Sequence, residues 1–376
     1  MIERTFGYDR GVGDAADSER RVIAHIDADA FYASVHLIED PSLAGKPVIV
    51  AGTGLRSIVT TASYEARKFG IGSAMPATQA RRLCPHAVFL RPNFDLYRDY
   101  SRRAMEVVRR HVTTIEPLSL DEAYLDVTDL DTPIATLRAI VEEIHAETGL
   151  RYSVGVGPNR LCAKVLSDFR KPAAFNVASR EQCCELFAQS SPRLINGIGP
   201  KTVDALDALG IATIAGLRDH DPVALAARMG ARRARELQAL ARFEHHGRVQ
   251  PNRERKSISE ERTYEHDIDD VEEIAERLRE MSIDLCGKLE QRRLRGRTIG
   301  IKVRLSDFTT VTRARTLPDR TNDPAVVTRI ADELLRAYAP QDPVRLIGVR
   351  VAGFDDVVAV EAAVDDPQLQ LPLAIG

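Results

Sequence analysis

Hydrophobic and polar positions follow two different periods along the first half of the chain. Short apolar runs rich in branched residues predict strands at residues 22–26, 47–50, 57–61, 123–127 and 152–156. Apolar residues at helical spacing predict helices at 94–111 and 134–148. Because strands and helices alternate, residues 22–176 are predicted to form an α/β or α+β domain.

The second half of the chain begins with a helical region and ends with a second mixed region. Residues 178–243 show helical spacing, and the charged stretch at 244–256, poor in apolar residues, is predicted to be a solvated linker. The pattern after it predicts strand, helix, strand, strand, helix and strand at residues 257–264, 270–291, 297–305, 309–316, 324–337 and 344–351. Residues 1–20 lack periodicity and are predicted to be a disordered extension.

Length and composition limit the class of protein. The 376 residues favour two to four compact units, and the five cysteines show no CxxC spacing, which favours reduced thiols over a structural zinc site. No apolar run reaches the roughly eighteen residues of a membrane helix. We find no signal peptide either, and therefore expect a soluble cytoplasmic protein without a membrane partner.

Charge is distributed unevenly along the chain. The net charge is -3, which alone does not indicate a nucleic-acid partner. Residues 292–315, however, carry eight Arg or Lys side chains and a single acid, Asp307, in a segment that alternates as strands do. This pattern predicts a basic sheet face.

Three carboxylates are candidates for a metal site. Asp121 and Glu122 are adjacent at the edge of a predicted strand, where they repel each other unless a hard cation such as Mg²⁺ offsets the repulsion. Asp27 follows the predicted strand at 22–26. If the two strands are neighbours in one sheet, the carboxylates converge on a point that fits two metal ions about 3.5 to 4 Å apart, as in phosphoryl transfer.

Each of these features also has a simpler explanation. A single Asp after a strand is more often a turn former or a helix N-cap, and an Asp-Glu pair is usually a solvated helix start. We interpret Asp29 as the N-cap of the next helix and not as a ligand. The pair His245 and His246 has no third ligand nearby in sequence and is interpreted as solvated.

The motifs around the carboxylates favour the metal site. They are YEARKFG at 64–70, AMP at 74–76, IEPLSLDEAYLDVTD at 115–129, and the segment from Lys164 to Lys171, in this order. Together they resemble the Y-family, or translesion, DNA polymerases, and most closely the bacterial DNA polymerase IV group. The resemblance covers about residues 22–351 and continues into the tail.

This resemblance implies a multidomain α+β fold, a right-hand polymerase. Its parts are expected to be a ferredoxin-like palm at 21–30 and 92–177, small fingers at 31–91, a helical helix-hairpin-helix thumb at 178–243, a linker at 244–256, a C-terminal α/β little finger at 257–353 and a flexible tail at 354–376.

The activity implied by the resemblance is template-directed, error-prone transfer of deoxyribonucleotides (dNTPs) to a primer 3′ end, for translesion synthesis and without proofreading. Asp27 and Asp121 are expected to bridge two Mg²⁺ ions, for which Mn²⁺ can substitute. Glu122 and the backbone carbonyl of Ala28 are expected to complete this catalytic metal site.

The incoming nucleotide is expected to contact two groups of side chains. The resemblance assigns its triphosphate to Thr61, Tyr64, Arg67 and Lys171. Tyr64 and Arg67 lie three residues apart, on one helical face. Lys171 precedes Pro-Ala-Ala where the family has Pro-Asn-Gly, which leaves the geometry of its loop open. Tyr32 is expected to be a steric gate that packs under the sugar and excludes a 2′ hydroxyl.

Two regions are expected to hold primer-template DNA by its phosphates. They are the thumb hairpin with Gly197, Gly199 and Lys201, and the basic little-finger strands with Arg297, Lys302, Arg304 and Arg313. A plain turn with a helix cap is the alternative for the hairpin. The tail is expected to bind the β sliding clamp through Gln368, Leu369, Leu371, Pro372 and Leu373.

Three functions are compatible with these motifs. They are an active, monomeric polymerase, a polymerase-like accessory protein that binds DNA and the clamp without chemistry, and a different two-metal palm enzyme such as a nucleotide cyclase. The intact carboxylates favour the first over the second, because a scaffold has no use for carboxylates that repel DNA. The hairpin and the basic C-terminal domain disfavour a cyclase, which need not hold a duplex.

Overall fold

The computed structural model describes residues 21–252 and 254–354. Contacts divide the chain into two compact units. Of the described residues, 21–45 and 93–251 belong to the first unit, and 46–92, 252 and 254–354 belong to the second. Predictions for residues 1–20 and 355–376 lie outside the described residues. Every helix in the described part of the chain falls short of the length and apolar character that a membrane crossing needs.

Strands and helices alternate along most of the described chain. The strands are β1 (Ile23–Ala28), β2 (Val48–Ala51), β3 (Val59–Ala62), β4 (Val88–Leu90), β5 (Thr114–Pro117), β6 (Glu122–Asp126), β7 (Tyr152–Gly157), β8 (Phe175–Val177), β9 (Ser257–Ile268), β10 (Gly296–Leu305), β11 (Thr310–Thr321) and β12 (Val344–Phe354). The helices are α1 (Phe31–Glu39), α2 (Tyr64–Arg67), α3 (Ala77–Leu83), α4 (Phe94–His111), α5 (Pro133–Thr148), α6 (Arg160–Asp168), α7 (Arg180–Leu186), α8 (Pro200–Asp207), α9 (Ile214–Asp219), α10 (Pro222–Met229), α11 (Ala231–Ala241), α12 (Val271–Gln291) and α13 (Pro324–Tyr338).

A five-stranded sheet forms the centre of the first unit, in the order β5-β6-β1-β7-β8. The central strand β1 pairs antiparallel with β6 on one side and with β7 on the other, and its side chains Ile23 and Ile26 are buried. Helix α6 packs closely on β1 and β7. Gly155 of β7 permits this approach, because a Cβ atom there would lie 2.1 Å from the carbonyl oxygen of Ala163.

A second apolar core in the first unit is shared by helices α6 to α11. It includes Leu166 of α6, Leu237 of α11 and the aromatic rings of Phe187 and Phe243. The region expected to be the thumb is therefore continuous, through this core, with the helix that packs on β1.

The second unit contains two sheets. The four-stranded sheet is antiparallel, in the order β11-β10-β12-β9, and α12 and α13 pack on the face that carries Ile299, Ile301 and Val349. The three-stranded sheet has the order β3-β2-β4 and packs with α2 and α3. An ion pair joins the two parts of this unit, since Arg56 Nη1 lies 2.7 Å from Asp267 Oδ1.

The observed elements agree with the sequence pattern where the elements are long. Helix α4 spans the predicted 94–111, and the six elements of the C-terminal domain occur in the predicted order. The pattern does not predict β4, β5 and β8, which have three or four residues each. Helix α1 is expected in the fingers at 31–91, but its contacts place it in the first unit, where the Tyr32 ring packs on Tyr97 of α4.

Candidate active site

Two neighbouring strands of the five-stranded sheet bring the candidate carboxylates together. In the antiparallel pairing of β1 with β6, Asp27 lies directly opposite Glu122. Asp121 is the residue before β6, and its carbonyl oxygen accepts a hydrogen bond from Ala28 N at 2.9 Å. Because directly opposed residues lie on the same face of a sheet, this register brings Asp27 and Glu122 together, and Asp121, the residue before Glu122, is near enough for the charge of Asp27 to act on it.

The carboxylates differ in their electrostatic environment. Burial and the nearby charge of Asp27 raise the pKa of Asp121 to about 7, although the Ser119 hydroxyl donates a hydrogen bond to Asp121. Burial alone would also raise the pKa of Glu122, but His25 and Lys164 outweigh it and hold this pKa at about 2. Of these two carboxylates, Asp121 is therefore the one whose ionisation a nearby cation would change more.

Two lysine ammonium groups lie among these carboxylates. The Nζ atom of Lys164, on α6, lies 2.8 Å from Glu122 Oε2 and 3.1 Å from Asp27 Oδ2. Burial would lower the pKa of Lys164, but the two carboxylates raise it above its ordinary value. Lys171 Nζ lies 2.5 Å from Asp27 Oδ1. The sequence motif contains Lys164 but gives no sign of this role, whereas Lys171 is predicted to bind the triphosphate.

A histidine that the sequence does not single out completes the cluster. His25 is fully buried on β1, and its Nδ1 atom lies 2.8 Å from Ser167 Oγ. Its Nε2 atom lies 3.3 Å from Glu122 Oε2, and burial lowers the pKa of the imidazole. The signal for its position is the alternation of a strand, which puts residues 25 and 27 on the same face.

The donor set fits a divalent cation. Ligand atoms of His25, Asp27 and Glu122 lie within 4.8 Å of one another. The carboxyl of Asp121 has a raised pKa, which a nearby cation would lower by favouring the ionised form. Because hard divalent cations prefer carboxylate oxygens, the cluster is a candidate divalent-metal site by its chemistry.

We expect Mg²⁺ to stabilise the folded chain more at about pH 8 than at about pH 6. The pKa of Asp121 is about 7 in the folded chain, against an ordinary value of 3.8. The protonated carboxyl therefore stabilises the folded chain fully below pH 3.8, and this stabilisation is lost as the pH rises through about 7. Mg²⁺ binds the ionised form and so opposes this loss. Melting temperatures with Mg²⁺ and with EDTA at both pH values measure the effect.

The variant Asp121→Asn is the control for this pH dependence, because an amide does not titrate. Its gain in melting temperature with Mg²⁺ should be small and nearly the same at both pH values. Equal gains at both pH values in the unchanged chain would contradict the assignment of Asp121 to the metal site.

Asp29 does not cap the following helix, contrary to the sequence-based interpretation. The N-cap of α1 is Ala30, and the Asp29 carboxylate accepts hydrogen bonds from Ser153 Oγ at 2.8 Å and from Ala173 N at 2.7 Å. Asp29 thereby ties the end of β1 to β7 and to the loop after Lys171. Ala173 has a φ of 51°, in the left-handed region that the Asn of the family pattern would adopt more readily.

The other residues predicted to bind the triphosphate lie in the second unit. Thr61 is buried on β3, while Tyr64 and Arg67 are the two ends of the short helix α2. The Arg67 guanidinium lies 4.6 Å from the centre of the Tyr64 ring, and its Nε atom donates to Ala62 O at 3.0 Å. Tyr64 and Arg67 therefore share one helical face, as their spacing predicts.

Tyr32, the predicted steric gate, is part of an aromatic cluster in the first unit. Its ring centre lies 4.6 Å from that of Tyr97 and 6.1 Å from that of Phe94, both on α4, and 5.3 Å from that of Phe31. Phe31 is buried, as expected of a core aromatic. Burial, and after it the charge of Asp121, raise the pKa of the Tyr32 hydroxyl.

The predicted hairpin at residues 197–201 is a turn that leads into α8. Gly197 has a φ of 93°, which a residue with a side chain rarely adopts. Gly199 is the N-cap of α8, and Lys201 lies in its first turn. The carbonyl oxygen of Gly197 accepts a hydrogen bond from Arg233 at 2.8 Å, which joins the turn to α11.

The predicted basic sheet face is divided between the two faces of the four-stranded sheet. Lys302 and Arg304 alternate with buried residues of β10 and lie on the face away from the helices, and Arg297 is exposed near the start of this strand. Arg313 instead pairs with buried Ile301, and its guanidinium lies 5.3 Å from the centre of the Tyr338 ring on α13. The expectation of one common face is therefore wrong.

Ion pairs with acidic side chains further reduce the positive charge of the sheet. Lys302 Nζ lies 2.7 Å from Glu261 Oε2 on β9. Arg315, on the helix-covered face, is paired with Glu333 of α13. The residues predicted to bind the sliding clamp, Gln368, Leu369, Leu371, Pro372 and Leu373, lie outside the described residues.

Two family models match the chain. The model of the impB/mucB/samB family matches residues 26–168, and the model of the C-terminal domain of the same family matches residues 255–371. The first match includes the three carboxylates, and the second includes the four-stranded sheet.

Individual relatives agree with these models over most of the chain. The DNA polymerase IV of Methanoculleus marisnigri is 40% identical over 353 residues, which cover 92% of this chain and 98% of the relative. The DNA polymerase IV of Halorhodospira halophila is 43% identical over 340 residues, which cover 89% and 95%. A solved Y-family DNA polymerase chimera matches with a TM-score of 0.79 and 27% identity, covering 88% of this chain and 98% of the chimera. The chain therefore belongs to the Y-family of DNA polymerases, in the DNA polymerase IV group.

Proposed function

We propose that this chain is a template-directed, error-prone DNA polymerase that adds deoxyribonucleotides to a primer 3′ end during translesion synthesis, without proofreading. The observation that carries the proposal is the register of β1 with β6, which sets Asp27 opposite Glu122 and next to Asp121. The relatives named DNA polymerase IV support it, because they match the chain over nearly their whole length. We further propose that it acts as a cytoplasmic monomer.

We assign the metal site to Asp27, Asp121, Glu122 and the carbonyl oxygen of Ala28. Two Mg²⁺ ions at this site would favour ionisation of the primer hydroxyl and neutralise the charge of the departing pyrophosphate. The chain itself positions these ligands through the pairing of β1 with β6, and Lys164 holds Asp27 and Glu122 in place from α6. This arrangement is built before substrate binds, as electrostatic stabilisation of a transition state requires.

The substrate contacts are assigned from the family motifs. We propose that the dNTP triphosphate binds Thr61, Tyr64, Arg67 and Lys171, and that Tyr32 excludes the 2′ hydroxyl of a ribonucleotide. DNA phosphates are assigned to the α8 turn, with Gly197, Gly199 and Lys201, and to Arg297, Lys302, Arg304 and Arg313. Arg313 is the weakest of these assignments, because its side chain packs on Tyr338 on the other face of the sheet from Lys302 and Arg304.

The complete carboxylate cluster argues against a catalytically inactive accessory protein. Carboxylates at a DNA-binding surface repel phosphates, and a chain without chemistry gains nothing from them. The match of residues 255–371 to the C-terminal domain of the family argues against a nucleotide cyclase.

Primer extension tests the proposed function directly. A labelled primer on a defined template should be extended when Mg²⁺ and the complementary dNTP are present, and not when EDTA replaces Mg²⁺. The added base should follow the template, and DNA binding should weaken steeply with salt because it rests on phosphate contacts. Extension that ignores the template, or that persists in EDTA, would reject the proposal.

Deleting residues 368–373 should lower clamp-stimulated synthesis about tenfold or more, because the peptide tethers the polymerase to a clamp on the same DNA. Synthesis without the clamp should be unchanged, since the deletion leaves the carboxylate site intact. Primer extension with and without the loaded β clamp measures both activities. The matched control is a deletion of equal length at 357–362, which shortens the tail and keeps the peptide. Equal loss of both activities would contradict clamp binding by this segment.

A further inference from the structure

One ring nitrogen of His25 has no hydrogen-bond partner in the described part of the chain. His25 is fully buried on β1, and the unpartnered atom is Nε2. A carboxylate oxygen, Glu122 Oε2, lies 3.3 Å from Nε2, but the two atoms do not form a hydrogen bond. A buried polar atom without a partner is costly, so this nitrogen would be stabilised by a ligand that the described polypeptide does not provide.

The hydrogen bonds of Ser167 assign a lone pair to this nitrogen. Ser167 Oγ donates its only hydrogen to the carbonyl oxygen of Lys164 at 2.8 Å, within α6. In the contact between Ser167 Oγ and His25 Nδ1, also at 2.8 Å, the donor is therefore Nδ1–H. The other nitrogen of a neutral imidazole is then an acceptor. A lone pair beside a carboxylate oxygen is repelled by it unless a cation lies between them.

The surroundings of His25 are those of a metal-binding histidine. A histidine that binds a metal through one nitrogen commonly donates its other N–H to a neighbouring oxygen, which fixes the tautomer and the ring orientation. Ser167 accepts that bond here, and the Tyr124 ring packs edge to face on the imidazole with ring centres 4.8 Å apart. Ligand atoms of His25, Asp27 and Glu122 lie within 4.8 Å of one another. The two carboxylate side chains are 13% and 25% exposed, so a cation can reach them from solvent.

We propose that His25 is a cation-specificity residue, whose Nε2 atom binds a divalent transition-metal ion such as Zn²⁺ together with Asp27 and Glu122. Imidazole nitrogen binds such ions well, whereas Mg²⁺ prefers oxygen ligands. The oxygen ligands assigned to Mg²⁺ above, which include Asp121 and the carbonyl oxygen of Ala28, do not require His25. The nitrogen therefore gives the cluster a second mode of cation binding, with a preference that an all-oxygen site lacks.

The two lysines of the site oppose the binding of any cation. Lys164 and Lys171 neutralise the carboxylates, and a metal ion at Asp27 and Glu122 displaces their ammonium groups. Both lysines have a further partner, because Asp168 Oδ2 lies 3.5 Å from Lys164 Nζ and Asp168 Oδ1 lies 3.1 Å from Lys171 Nζ. Each lysine therefore keeps one ion pair when it leaves the other carboxylates. Mg²⁺ requires the same displacement, so the lysines do not decide the preference between cations.

Competition between cations at these carboxylates rests on the proposed function. Since Asp27 and Glu122 are also assigned to Mg²⁺, bound Zn²⁺ would displace Mg²⁺ and slow nucleotide addition. In primer extension with Mg²⁺, the Zn²⁺ concentration that halves the rate should therefore rise about tenfold in His25→Asn. Binding of the transition metal itself does not depend on polymerase activity and is measured without DNA or dNTP. A chain that fails to extend primers would reject the proposed function and leave that binding measurement intact.

Binding of Co²⁺ and Zn²⁺ to the whole chain tests the role of His25. The visible absorption of bound Co²⁺ reports its nitrogen and oxygen ligands, and a sulfur ligand would add an intense charge-transfer band. Asparagine keeps an N–H donor for Ser167 but has no atom in the place of Nε2. We expect His25→Asn to lower the affinity for Co²⁺ and Zn²⁺ about tenfold or more, and the affinity for Mg²⁺ by less than about twofold. A purely structural role would lower all three affinities alike.

The matched control is His111→Asn on α4, where His111 Nε2 lies 2.6 Å from Glu143 Oε2 in another histidine-glutamate contact. This variant should leave the affinities for Co²⁺ and Mg²⁺ unchanged. If His25→Asn folds poorly, nitrogen NMR of the unchanged chain replaces it, and Zn²⁺ should shift the resonance of His25 Nε2 much more than that of Nδ1. Equal losses of Co²⁺ and Mg²⁺ affinity in His25→Asn, a sulfur charge-transfer band in the unchanged chain, or an unshifted Nε2 resonance would overturn the proposal.

Discussion

Replacing Asp121 by alanine is expected to lower the rate of nucleotide addition by about 10³-fold or more, which corresponds to about 4 kcal/mol of lost transition-state stabilisation. Asp121 precedes β6, and its carbonyl oxygen accepts a hydrogen bond from Ala28 N, so its backbone is fixed next to the strand that carries Asp27. Burial, and after it the nearby charge of Asp27, raise the pKa of Asp121, so an unpaired negative charge at this position is costly and a cation would relieve that cost. Single-turnover primer extension with saturating dNTP and Mg²⁺ measures the loss.

Asp126→Ala is the matched control for this substitution, because Asp126 lies at the other end of the same strand. Its carboxylate accepts a hydrogen bond from Thr128 N at 3.1 Å and so stabilises a turn. This variant should lose some stability but keep the rate of nucleotide addition. If Asp121→Ala were still active at a comparable rate while correctly folded, the proposed metal site would be rejected.

Replacing Tyr32 by alanine is expected to weaken discrimination against ribonucleotides by about 10²-fold or more, equivalent to nearly 3 kcal/mol. The Tyr32 ring is only 9% exposed and is held by Tyr97 and Phe94 of α4, so it cannot move aside for a 2′ hydroxyl without disturbing that cluster. Alanine leaves a space at this position. The measured quantity is the ratio of kcat/KM for a dNTP to that for the matching ribonucleotide.

Using a ratio separates discrimination from folding. Truncating a buried aromatic ring to alanine commonly costs about 3 to 5 kcal/mol of stability, which would lower both rates on one preparation equally. Tyr32→Phe is the control, since it keeps the ring and removes only the hydroxyl, and it should retain discrimination. An unchanged ratio in Tyr32→Ala would remove the gate assignment and leave Tyr32 as a core residue.

Much of the fold and part of the site could be predicted from the sequence, because local pattern specifies them. Helix α4 has a strong helical period, and the apolar run of β1 is explained by its central place in the sheet. The convergence of Asp27 with Asp121 and Glu122 was predictable only on the condition that β1 and β6 are neighbours. That condition is a long-range pairing, which no local pattern contains.

The remaining features depend on contacts between residues far apart in sequence. The sequence pattern predicts Arg313 as part of an alternating basic strand. The register of β11 with β10 instead directs its side chain toward α13. Residues 243–250 are mostly polar in sequence, yet their backbone is hydrogen-bonded to Asn159, Arg160 and Glu116, which lie 84 to 134 residues away along the chain. The expectation of a solvated linker is therefore wrong for residues 244–250. Lys164 likewise meets Asp27 only because α6 packs on β1.

The two hydrogen bonds of Asp29 fix the position of the groups that would neutralise the charge of the substrate. They join the strand that carries Asp27 to the loop that follows Lys171, and Lys171 itself lies beside Asp27. Lys171 and Asp27 are therefore held in one rigid arrangement, because Asp29, two residues after Asp27, is hydrogen-bonded both to β7 and to the loop after Lys171. Their conformational freedom is lost once, when the chain folds, and need not be lost again at every round of synthesis.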